Sequence, residues 1–163
     1  MKRILTLVFL CILFLILDNT LMPLLKIHGA YPSLLFTFAL CYSVASSPKD
    51  ALIVGVFAGM LQDLYFFNGF GINMLCNMLV CVAASNIGKN IFIEKSFIPI
   101  LSSFVLSLAK GLVVFSLLFT IKQNTDVEII LYQALCNLFA CIFMYKFTYK
   151  LSKKEYMKKE WRF

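Results

Sequence analysis

Residues 51–73 read ALIVGVFAGMLQDLYFFNGFGIN. Ala51, Gly55, Gly59 and Asp63 recur at every fourth position, and on a helix that spacing lines one face. Two glycines in a Gly-x-x-x-Gly spacing let a neighbouring backbone come close. The face ends on a carboxylate, which is costly in hydrocarbon unless it finds a partner. An aromatic, glycine-rich connection follows over residues 65–71, and Asn73 opens the next apolar run. The stretch predicts a close-packing helix that carries an acid at depth and turns back through a tight glycine loop.

The remainder of the chain has the composition of a membrane protein. Of its 163 residues, 61% are hydrophobic and 14% charged, and its mean hydropathy is +0.89. A soluble domain averages about 45–50% apolar and about 25% charged. Six apolar runs predict helices over residues 4–22, 33–46, 51–67, 71–87, 97–121 and 127–151. The second is short for a crossing of about 20 residues and is expected to recruit both flanks. The first begins with Lys2 and Arg3 but lacks a small-residue cleavage pattern, so it is read as a permanent helix. The expected fold is an all-α integral membrane protein with six transmembrane helices and short loops. Residues 1–151 form the membrane domain and 152–163 a basic tail.

The basic residues set the orientation. With the N-terminus inside, the inner side carries Lys2, Arg3, Lys49, Lys89, Lys95, Lys146, Lys150, Lys153, Lys154, Lys158, Lys159 and Arg162. The outer side carries only Lys26 and Lys122, and Lys110 lies within a helix. That asymmetry is the positive-inside pattern and predicts two cytoplasmic termini. It also accounts for the net charge of +7 without a nucleic-acid partner, because the charges follow topology rather than one reading face. The tail, with Lys146, Lys150 and Lys153 on one helical face, reads as an anchor on anionic inner-leaflet lipids. Docking to a cytoplasmic protein is the sharper alternative.

Several polar residues lie deep in the runs. At about 1.5 Å of rise per residue, Asp18, Asp63 and Lys110 fall roughly 18–21 Å from the inner ends of their helices. Asn77 and Asn137 belong to the same outer half. The five predict one polar layer shared by several helices. It is either a site, as an outward cavity or a lock for a partner helix, or an internal Asp–Lys pair that fixes packing. Asp63 is the expected partner of Lys110 because its face already packs, and Asp18 is the alternative. Gly111, beside Lys110, predicts close approach of another helix.

The six cysteines all fall inside apolar runs with no Cys-x-x-Cys pair, and the single histidine, His28, lies in a loop. They read as small buried hydrophobes, with no metal site and no cofactor expected. Nucleophile-elbow, phosphate-loop and His-Glu-x-x-His patterns are absent from the sequence, so no enzyme is expected.

The order of features resembles the MreD family of bacterial rod shape-determining membrane proteins. The resemblance runs through Leu21-Met22-Pro23-Leu24-Leu25, Tyr31-Pro32-Ser33-Leu34-Leu35, the block from Gly55 to Leu64, and Gly69-Phe70-Gly71-Ile72-Asn73. Ser33 departs from the family, which often has an acid after the proline. The resemblance implies a non-enzymatic scaffold in the cytoplasmic membrane. It would bind MreC and sit with MreB and a peptidoglycan glycosyltransferase/transpeptidase pair. The matched positions are Gly55, Gly59, Asp63, Gly71 and Asn73, each holding either the fold or a partner. A second resemblance, of type, is to the substrate-binding membrane component of an energy-coupling-factor vitamin transporter.

Overall fold

A computed structural model of the chain describes residues 2–65, 71–90, 97–120 and 127–152, with the backbone alone at 90, 97–99, 117–120 and 127. Six α-helices coincide with the six apolar runs. They are α1 (Lys2–Thr20), α2 (Leu34–Val44), α3 (Pro48–Tyr65), α4 (Ile72–Asn90), α5 (Phe97–Thr120) and α6 (Val127–Ser152). Residues 66–70, Glu94, Lys95, the 122–126 loop and the tail from Lys153 to Arg162 lie outside the described residues.

The helix ends follow local chemistry. α1 stops at Thr20 and gives way to a 3-10 turn, Met22–Leu25, because Pro23 lacks the N–H that an α-helix needs. α3 begins at Pro48, earlier than the apolar run suggests. Proline suits a first turn. The Ser47 hydroxyl donates to Asp50 Oδ2 at 2.6 Å while the Asp50 N–H donates back to Ser47 Oγ at 3.4 Å, a reciprocal cap.

α2 does not recruit its flanks. It has 11 residues, a rise of about 16 Å against a hydrocarbon core of about 30 Å. Its place explains how so short a helix persists. Every residue from Leu35 to Val44 is buried, and all five other helices pack against it. Leu35, Phe38, Cys41 and Tyr42 meet α1 and α6 through Leu10, Cys11, Phe14, Cys141 and Met144. Phe36, Leu40 and Val44 meet Val80 and Ala84 of α4. α2 is thus the axis of the bundle, and the other helices carry its outer surface. That surface is apolar: Leu5, Phe9, Leu131, Phe139 and Phe143 are all more than half exposed. An apolar surface of that extent marks contact with lipid or protein. Among the described residues, Lys2–Thr20, Ile72–Lys89 and Glu128–Ser152 are long and apolar enough to cross a membrane.

The glycine face of α3 meets α4. A Cβ at Gly55 would lie 2.8 Å from Asn77 O, and one at Gly59 would lie 2.5 Å from Asn73 O and 2.7 Å from Met74 N. Ala51, Gly55, Gly59 and Asp63 are all buried. Of the two destinations open to this face, the structure gives the internal one. Gly111 likewise admits Ile130 of α6.

At the opposite end of the bundle from the α2 N-terminus, Arg3 pairs with Asp50 at 2.9 Å and donates to the Tyr42 hydroxyl at 2.8 Å. This ties the start of α1 to the end of α2 and the start of α3. The six cysteines are free, five of them buried. Cys41 Sγ of α2 and Cys141 Sγ of α6 stand 3.2 Å apart, close enough for an oxidant to join them with little movement. Copper–phenanthroline treatment of membranes should therefore yield a peptide linking 41 to 141, read by mass spectrometry. A dominant link from Cys41 to any other cysteine would contradict the packing of α2 on α6.

Candidate functional site

A helix N-terminus presents four N–H groups without intrahelical partners, and hydrocarbon supplies no water to satisfy them. α2 is too short to bring both ends to water, so its first turn needs acceptors from the protein. All four are present. The Leu34 N–H donates to Asp18 Oδ1 at 2.6 Å and the Leu35 N–H to Asp18 Oδ2 at 3.0 Å. The Ser33 N–H donates to Asn137 Oδ1 at 2.9 Å, and the Phe36 N–H to Ser33 Oγ at 3.3 Å. α4 repeats the device. Asp63 on α3 accepts from the N–H groups of Gly71 (3.0 Å), Asn73 (3.0 Å) and Met74 (2.8 Å). Gly71 holds a φ of +102° there, a conformation glycine adopts without strain. Both acids at depth are therefore caps supplied by the preceding α-helix, placed where the helix dipole favours negative charge.

The α2 cap is also the centre of a wider network. The Ser33 hydroxyl donates to Asp18 Oδ2 at 2.9 Å and accepts from Gln62 Nε2 of α3 at 2.9 Å. Gln62 Oε1 in turn accepts from Asn77 Nδ2 of α4 at 2.8 Å and from Lys110 Nζ of α5 at 3.3 Å. Asn137 of α6 donates from Nδ2 to Ser107 Oγ of α5 at 2.9 Å. One connected set thus joins all six helices. Asp18, Asn77, Lys110 and Asn137 belong to this set. Asp63 stands beside them on its own cap. Among the described residues, Asn77 Oδ1 is buried without a hydrogen-bond partner.

Ser33, Gln62 and Ser107 are the members of the network that the sequence did not single out as part of the polar layer. Ser33 carried a signal: a serine ahead of an apolar run is a common N-cap. Gln62 carried a weaker one, as an uncharged polar residue inside a span.

The expected Lys110–Asp63 pair is replaced by Lys110–Gln62. Among the described residues, no carboxylate lies at ion-pair distance from Lys110. Its ammonium instead sits 4.2 Å from the centre of the Phe36 ring, a favourable cation–π position. Gln62 and Asp63 are neighbours in sequence but project about 100° apart on the helix, so only one can face α5. Lys110→Met should thus shift stability by only about 1 kcal/mol, because it removes one hydrogen bond and no ion pair. Asp63→Asn should not rescue it. Thermal unfolding of both single variants and the double variant checks this, and recovery in the double variant would restore the pair.

A cavity of about 450 Å³ opens beside this network. Asp18, Ser33, Gln62, Lys110 and Asn137 line it, as do Gly29 to Tyr31 of the α1–α2 connection and the start of α4 and α6. That connection folds into a tight turn with mutual hydrogen bonds between Ile27 and Ala30. His28 stacks on Tyr132 of α6 with ring centres 4.7 Å apart, which fixes the turn beside the cavity. Lys146 and Lys150 lie exposed, one turn apart, on α6.

An apolar outer surface around a bundle pinned by buried polar groups defines a helical membrane protein. The chain belongs to the MreD family: the family model described as rod shape-determining protein MreD matches residues 1–155. Neither a curated protein nor a solved structure matches it. Its function class is therefore rod-shape determination, in a family of membrane proteins without a known enzymatic activity.

Proposed function

We propose that this protein is a non-enzymatic scaffold of the bacterial cell-elongation machinery. It spans the cytoplasmic membrane six times with both termini inside, binds MreC, and helps to position peptidoglycan synthases near MreB. The family match over residues 1–155 carries this reading. The basic residues support the orientation: Lys2, Arg3, Lys49 and Lys89 belong to one end of the bundle and Lys26 to the other. The tail, with Lys146 and Lys150 leading into it, contacts anionic inner-leaflet lipids. Because Gly55 and Gly59 pack on α4, MreC binds elsewhere, on the apolar outer surface.

Depletion in the native host should convert rods to rounded cells. Reporter fusions should place residue 163 inside and residue 26 outside. Unchanged shape, with loss of vitamin uptake instead, would replace the scaffold by the transporter component.

A further inference from the structure

We infer that the cavity beside the polar network is a binding site for a small amphiphile with an anionic group, carboxylate or phosphate, which Lys110 receives. This goes beyond the scaffold reading and does not rest on it. The volume of about 450 Å³ falls in the range of small-molecule sites, which combine an apolar lining with a few convergent polar groups. The charges facing it are unequal in what they have left to offer. Both oxygens of Asp18 are engaged, by Ser33, Leu34 and Leu35. Lys110 carries three donors and uses one, in a 3.3 Å contact with Gln62 Oε1. With no carboxylate at ion-pair distance among the described residues, its ammonium is the uncommitted charge of the cavity. An anion placed there gains a charge-assisted hydrogen bond.

The remaining lining fixes the rest of the ligand. Phe36, Val114 and Ile130 offer apolar wall, while Asn73 and Gln133 add amides. A purely polar ion would leave that wall without a partner, and a plain hydrocarbon would leave two of the three ammonium donors without an acceptor. Two sources share this chemistry: a lipid headgroup with part of its chain, or a soluble organic acid.

Native mass spectrometry of the protein extracted from its own membranes in mild detergent tests this. The wild type should carry an adduct near one per chain. Lys110→Gln should lower its occupancy by about tenfold or more, the factor expected for one charged hydrogen bond. Lys110→Arg should retain it. Val114→Phe, which fills the cavity and leaves the network intact, should also remove it, so the inference stays testable if Lys110→Gln fails to fold. An adduct mass with acyl chains identifies a lipid, and one without them identifies a soluble acid. No adduct on the wild type, or equal occupancy in the folded Lys110→Gln or Val114→Phe protein, would overturn the inference.

Discussion

Asp63→Ala should lower the midpoint of thermal unfolding in detergent by roughly 10 °C, on the scale of soluble domains of this size. Asp63 is 4% exposed and its carboxylate satisfies three backbone N–H groups at the start of α4. Alanine leaves all three, in a half-buried site, without that acceptor. Each buried unsatisfied group costs about 1–3 kcal/mol, so even partial relaxation leaves a loss of about 3 kcal/mol. Asp63→Asn retains one acceptor oxygen and should fall between alanine and the wild type. The same reasoning applies to Asp18→Ala, whose partners open α2. A midpoint unchanged by Asp63→Ala would mean that the α4 N-terminus finds other acceptors.

Gly59→Ala should be nearly as damaging, although it adds a single methyl group. The new Cβ would meet the backbone of Asn73 and Met74 at less than van der Waals distance. Backbone cannot swing aside as a side chain can, so α3 and α4 must separate. Overpacking of this kind typically costs about 1–3 kcal/mol. Here the separation also draws Asp63 away from the N–H groups it caps. The two changes therefore act on one contact, and Gly59→Ala combined with Asp63→Ala should lose less than the sum of the two. Gly55→Leu with Gly59→Leu should prevent folding altogether, seen as loss of a monodisperse species in detergent. Full additivity of the alanine pair would show that the glycine face and the cap act independently.

Hydropathy and turn residues were enough to read the six helices and their order, because each apolar run is closed by proline, glycine or charge. The ends were less legible. Pro32 and Pro48 bound the run at 34–44, but that so short a helix persists makes sense only once five neighbours surround it. The depth of Asp18 and Asp63 was readable from residue counting, but their role was not. Capping a helix from a different one requires knowing where that second N-terminus comes to rest. The same gap explains Lys110. Charge complementarity pointed to Asp63, whereas that carboxylate was already occupied by the α4 backbone, and the neighbouring Gln62 faces α5 instead. Gly-x-x-x-Gly announced close approach without naming the partner, and the partner is α4.

These observations divide the molecule's work. The buried polar groups hold the bundle together; on the reading proposed above, the outer apolar surface meets lipid and partner helices and the cavity beside Lys110 takes a ligand. The claim that ties them to cell shape is that the intact protein resides in a complex with MreC and the wall synthases. Mild-detergent affinity purification of the full chain from its native membrane, followed by mass spectrometry of the co-purified proteins, tests that claim most directly. Stoichiometric MreC with a glycosyltransferase/transpeptidase pair is the predicted result. Recovery of a paired ATPase module in their place would contradict the account and make the protein a transport component.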